Sequence, residues 1–122
     1  MDKKKILIAD DEPNIRSLVS RMLGKDYIVI EATNGEEAID IAKRQEPDLI
    51  LMDLMMPKMD GYTACSSIKT DQATKGIPVV MLTGVTHELN KSFAREMGAD
   101  GYLSKPFSAD ELLRQVKQVL GE

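Results

Sequence analysis

The chain has 122 residues, 43% of them apolar, enough for one compact domain with a real hydrophobic core. Twenty acidic residues against sixteen basic ones give a net charge of −4, which argues against direct binding of nucleic acid, whose phosphates select basic surfaces. The single cysteine, Cys65, excludes an internal disulfide; it reads as a small packing residue and fits an intracellular protein, with the cytoplasm as the expected location.

The first apolar run, Ile6 to Ala9, follows a charged start and is too short for a signal peptide or a membrane span. It reads as a strand and ends in Asp10-Asp11-Glu12. Pro13 suits the first turn of a helix whose apolar face is Ile15, Leu18, Val19, Met22 and Leu23. Gly24 sits where a glycine would end that helix. Tyr27 to Ile30 reads as a second strand, followed by Glu31-Ala32-Thr33. Asn34 is placed to cap a second helix marked by Ala38, Ile39 and Ala42. Leu49 to Met52 is a third strand ending in Asp53, and Tyr62 to Lys69 a third helix with Asp60 near its start. Val79 to Leu82 is a fourth strand ending in Thr83. A fourth helix is predicted over Glu88 to Met97, closed by Gly98. Gly101 to Leu103 is a short fifth strand, followed by Ser104-Lys105-Pro106. Ser108 and Glu111 form a capping box for a fifth helix, with the stripe Leu112, Leu113, Val116, Val119 and Leu120.

Strands and helices thus alternate from end to end, with no repeat or linker. Most strand runs are continuously apolar, as in a parallel sheet covered on both faces. The expected fold class is α/β: a doubly wound (βα)5 domain spanning residues 1–122. Its five-stranded parallel sheet would take the order 2-1-3-4-5, the flavodoxin-like arrangement.

Such sheets bind ligands beyond the carboxyl ends of their strands, where the strand order reverses. Asp10, Asp11, Asp53, Thr83 and Lys105 all fall at that edge, next to the reversal. Clustered carboxylates repel one another unless cations offset them. Lys105 supplies one positive charge, and a divalent ion is the natural second. Carboxylates without His or Cys ligands favour Mg²⁺ over zinc. A carboxylate can also attack phosphorus and form an acyl phosphate. Asp53 stands alone at the centre of the group and is the best nucleophile; Asp10 and Asp11 make a metal pair. Thr83 and Lys105 could contact phosphoryl oxygens.

Four segments carry a resemblance to the receiver domain of two-component response regulators: Ile6–Glu12, Asp48–Gly61, Pro78–Gly84 and Gly98–Phe107. The resemblance covers nearly the whole chain and implies a CheY-like fold. It implies that Asp53 accepts a phosphoryl group from a histidine kinase or a His phosphotransfer domain. Asp11 and Asp53 would bind Mg²⁺ directly (Mn²⁺ is the alternative ion). Asp10 would act through water, and the backbone carbonyl of Met55 would complete the set. Thr83 and Lys105 would contact the phosphoryl group, and Tyr102 would be the aromatic switch that turns inward. The Lys105–Pro106 bond would be cis. Met55 and Val85, at two positions that vary in the family, carry no group to orient water, which implies slow to moderate self-dephosphorylation. The chain would be a signalling switch that catalyses only its own phosphorylation and dephosphorylation.

Rival readings fit less well. A haloacid dehalogenase-type phosphatase wants a second Asp where Met55 stands. A flavodoxin-like cofactor carrier wants a neutral phosphate loop where Asp10-Asp11-Glu12 stands. No P-loop run occurs, and a non-phosphorylated pseudo-receiver would lack Asp11, Asp53 or Lys105. His87 reads as a surface-loop residue; Met22, Met52, Met81 and Met97 read as core, while Met55, Met56 and Met59 flank the site. The output would be carried by helix four, strand five and helix five, around Lys91, Arg95, Tyr102 and Phe107. It would reach a downstream protein or an output domain, or drive a phosphorylation-dependent homodimer. The chain would either stand alone or be part of a longer regulator or hybrid kinase.

Overall fold

A computed structural model describes residues 3–84, 96 and 98–122. The strands are β1 (Lys5–Ala9), β2 (Ile28–Ala32), β3 (Leu49–Asp53), β4 (Val79–Thr83) and β5 (Gly101–Ser104). They form one parallel sheet in the order β2-β1-β3-β4-β5. The helices are α1 (Pro13–Leu23), α2 (Gly35–Gln45), α3 (Gly61–Thr70) and a C-terminal helix (Ala109–Leu120). The doubly wound arrangement and strand order are those expected from the alternation of apolar runs.

The pleat sends successive side chains to opposite faces, and both faces are covered. Leu7, Ala9, Ile50, Met52, Val79 and Met81 pack with Ala38, Ile41 and Ala42 of α2 and with Ala64, Cys65 and Ile68 of α3. Ile6, Ile8, Leu49, Leu51, Val80 and Leu82 pack with Val19 and Leu23 of α1 and with Leu112 and Val116 of the C-terminal helix. This two-sided burial explains why the runs in β1, β3 and β4 are apolar throughout. Each buried Leu or Ile contributes roughly 1.5–3 kcal/mol.

Local caps set the helix starts. Asn34 accepts a hydrogen bond from the Glu37 amide at 2.8 Å, and Asp60 accepts one from Thr63 at 2.9 Å. At the C-terminal helix the Glu111 amide donates to Ser108 Oγ at 3.1 Å, and the Ser108 amide donates to Glu111 Oε1 at 3.0 Å. Ser108→Ala removes one half of this box and should lower unfolding free energy by about 1 kcal/mol, read by urea denaturation.

The second strand departs most from the sequence expectation. β2 begins at Ile28 rather than Tyr27 and runs on to Ala32. It is an edge strand with Ile28 45% exposed, so it is not buried on both faces like its neighbours. Tyr27 instead turns inward, and its hydroxyl donates to Glu122 at 2.9 Å. Gly24 caps the end of α1 as expected, with right-handed dihedrals (φ −62°) rather than the left-handed conformation. That conformation appears at Glu46 (φ 47°) and Gly121 (φ 76°). The predicted fourth helix, apart from helical Glu96, lies outside the described residues, as do Val85, His87, Lys91, Arg95 and Met97.

Candidate functional site

The polar groups gather where β1, β3, β4 and β5 end. Asp53 is the last residue of β3 and Thr83 the last of β4; they are 5% and 4% exposed. Asp10 follows β1 and is fully buried. Its amide donates to the Ala32 carbonyl at 3.0 Å, so β2 holds the start of the acidic loop. Lys105 follows β5, and its amide donates to the Thr83 carbonyl at 2.7 Å. The strands therefore place the backbone first, and the side chains converge from it. The Lys105–Pro106 bond is cis.

Lys105 Nζ is the hinge of the group. It donates to Asp10 Oδ2 at 2.9 Å and to Asp53 Oδ1 at 3.1 Å, and lies 3.9 Å from Glu12 Oε1. One ammonium thus serves two buried carboxylates. Burial pushes the Asp53 carboxyl up to about 6, and the nearby Asp10 charge adds to this; Lys105 opposes it. Burial alone would pull Lys105 down, but its bond to Asp10 and the charges of Asp53 and Asp10 outweigh that, and its net shift is upward. At neutral pH Asp53 is mainly an anion, held near its neutral form by its surroundings.

Asp10, Asp11 and Glu12 can offer oxygens that all lie within 4.8 Å of one another, Asp11 and Glu12 from the exposed side. This hard, all-oxygen set suits Mg²⁺ and not zinc. The charge balance points the same way, since among the described residues the single ammonium of Lys105 faces Asp10, Asp53 and, at 3.9 Å, Glu12. Glu12 is an addition: the sequence placed it in the acidic run, but only Asp10 and Asp11 were singled out as a metal pair.

The loop after β3 completes the site. Lys58 takes a left-handed φ of 69° in the turn Pro57 to Gly61. The Gly61 amide donates to the Leu54 carbonyl at 2.8 Å, and a Cβ at Gly61 would collide with the Asp53 carbonyl oxygen. Glycine there lets α3 start directly against the phosphoacceptor candidate. Met55 is 79% exposed, whereas Met56 and Met59 pack on the α2–α3 side of the sheet. A pocket of about 620 Å³ opens beside Asp53, lined by Met55, Tyr62, Thr83 and Gly84 among others. Tyr102 is partly buried against the same α2–α3 side. Cys65 is fully buried and its thiol is pushed up to about 11, mainly by burial, as befits a packing residue.

The model of the response regulator receiver domain matches residues 6–117. The chain belongs to the response regulator receiver family. As a receiver it is a signalling module of two-component systems rather than a conventional enzyme. It is 42% identical over 121 residues to a probable transcriptional regulator, ycf27, of Porphyridium aerugineum, an alignment covering 98% of this chain and 49% of that protein. The receiver thus spans about half the length of the curated relatives it matches. A putative response regulator from Chloroflexus aurantiacus superimposes with a TM-score of 0.94 at 34% identity, covering 99% of this chain and 100% of that one. The receiver domain of the sensor histidine kinase PA1611 from Pseudomonas aeruginosa gives 0.91 at 30% identity, covering 99% and 100%. That structure was solved with a magnesium ion coordinated in its active-site cleft. Among the described residues, no helix of this receiver is long and apolar enough to cross a membrane.

Proposed function

We propose that this receiver takes a phosphoryl group onto Asp53 from a histidine kinase or a His phosphotransfer domain. The observation that carries the proposal is Lys105 Nζ bridging buried Asp10 and Asp53, with Thr83 on the adjoining strand end. Asp53 attacks the phosphorus in line, the P–N bond of the phosphohistidine breaks, and the imidazole leaves with the electron pair and takes up a proton. The new acyl phosphate carries charge on its free oxygens. Lys105 exchanges its bond to Asp53 for one of those oxygens, and the Thr83 hydroxyl donates to another. Asp10, Asp11, Asp53 and the Met55 carbonyl would hold Mg²⁺, or Mn²⁺ in its place, which supplies charge neutralisation at the phosphoryl oxygens. The ion in the PA1611 cleft supports that choice.

Movement of Thr83 toward the phosphate would let Tyr102 turn inward and shift the two-state surface around β5 and the C-terminal helix. That surface would dock a downstream protein, an output domain or a second copy. Incubation with acetyl phosphate and Mg²⁺ tests the chemistry by intact mass: wild type gains one phosphoryl group and Asp53→Asn gains none. Efficient gain by the variant would sink the assignment.

Met55 bears on phosphate lifetime. Its side chain is apolar and exposed, and it carries no group that orients water. Met55→Asn adds such a group beside Asp53 and should speed loss of the phosphoryl group severalfold. The measurement is decay of the phosphorylated protein; an unchanged rate counts against the role given to this position.

A further inference from the structure

Arg16 lies on α1 outside the apolar set Ile15, Leu18, Val19, Met22 and Leu23, yet its side chain is only 15% exposed. Nη1 donates to the backbone carbonyl of Asp10 at 2.8 Å. Nε donates to Glu31 Oε1, at the far end of β2, at 2.9 Å. The guanidinium is a rigid planar fork, so two acceptors gripped by it are held in a fixed relation. One of them is the oxygen of the Asp10–Asp11 peptide.

That peptide is planar and stiff. Holding its oxygen sets the plane, and the plane sets the direction in which Asp11 leaves the loop. The other polar atoms of Asp10 are also engaged. Its amide meets the Ala32 carbonyl at 3.0 Å, Oδ1 accepts from the Glu12 amide at 2.9 Å, and Oδ2 accepts from Lys105 at 2.9 Å. Arg16 supplies the bond to the carbonyl. Among the described residues Asp11 makes no comparable anchoring bond of its own and stays exposed, so its placement is inherited from Asp10.

We propose that Arg16 is a positioning residue for the metal carboxylates: it fixes the Asp10–Asp11 peptide, and Glu31 holds the guanidinium in place. The proposal rests on the reading of Asp10 and Asp11 as cation ligands. Its sign separates it from a simple charge effect. A positive side chain near a cation site weakens metal binding through space, so removing it would tighten binding. A positioning role predicts the reverse.

Calorimetric titration with MgCl₂ tests this on wild type, Arg16→Met, Arg16→Lys, Glu31→Gln and the double variant Arg16→Met/Glu31→Gln. Arg16→Met should weaken Mg²⁺ binding roughly tenfold or more, the range for outer partners of metal ligands. Arg16→Lys keeps the charge but not the fork and should stay weakened. Glu31→Gln should weaken binding less, and add nothing in the Arg16→Met background. Thermal unfolding without metal reports the fold separately. Wild-type or tighter affinity in folded Arg16→Met overturns the inference, even if its melting temperature falls. Should Arg16→Met not fold, wild-type affinity in Arg16→Lys overturns it equally. A wild type that binds no Mg²⁺ overturns the metal reading itself, and this inference with it.

Discussion

Lys105→Met should destabilise the metal-free domain by about 2–4 kcal/mol near pH 7.5. Breaking a buried ion pair by removing one partner leaves an uncompensated buried charge, a loss typically of about 3–5 kcal/mol. Here one ammonium, 16% exposed, serves Asp10 and Asp53 together. Two effects trim the loss. Water reaches Lys105, and Asp53 can escape by taking a proton. The deficit should therefore shrink as the pH falls toward 5. Mg²⁺ should restore more stability to the variant than to wild type, because a cation then answers charges that nothing else does. The raised Lys105 value gives the other limb. A group raised on folding stabilises fully below its unfolded value and loses that contribution as pH rises through the folded one. In wild type this loss belongs to strongly alkaline pH. Urea denaturation at pH 5 and 7.5, with and without Mg²⁺, measures all of this; a pH-independent loss below about 0.5 kcal/mol would contradict the account.

Asp53→Asn should have the opposite sign. The folded carboxyl is raised to about 6 from an ordinary 3.8. Ionisation is thus easier in the unfolded chain, and the charge costs folded-state stability above pH 6. Well below 3.8 both states are protonated and the cost vanishes. The shift of roughly two units corresponds to about 3 kcal/mol as an upper figure. Asparagine removes the charge while keeping the shape, so the metal-free variant should be more stable by about 1–3 kcal/mol at pH 8, shrinking to roughly 0.5 kcal/mol or less at pH 4. The gain should narrow in saturating Mg²⁺. Melting temperature against pH reads both features, and a gain undiminished between pH 8 and pH 4 would point to packing instead.

Much of this site is legible in the sequence. Ile6 to Ala9, Leu49 to Met52 and Val79 to Leu82 are apolar throughout because both faces of the central strands are buried. Each is followed at once by a polar residue, so alternation alone put Asp10, Asp53 and Thr83 on one sheet edge. β2 was placed less well. It lies at the edge, its burial is partial, and Tyr27 is apolar enough to pass for strand while packing at a turn. Gly24 ends α1 where the sequence places a terminating glycine, and does so with right-handed dihedrals, since glycine permits left-handed geometry without requiring it. Arg16 was invisible as a site residue. It lies on α1 outside the apolar set, and only the folded proximity of Asp10 and Glu31 reveals its grip. The sharing of one Lys105 ammonium between Asp10 and Asp53 likewise depends on distances that no spacing encodes.

Asp53 as the residue that carries the phosphoryl group can be tested directly. Acyl phosphates are cut by borohydride to the alcohol, which marks the modified side chain permanently. Phosphorylation with acetyl phosphate and Mg²⁺, borohydride reduction and peptide mapping should find homoserine at position 53 in wild type. Homoserine at position 10 or 11, or an unmodified Asp53 in protein that has gained a phosphoryl group, would contradict it.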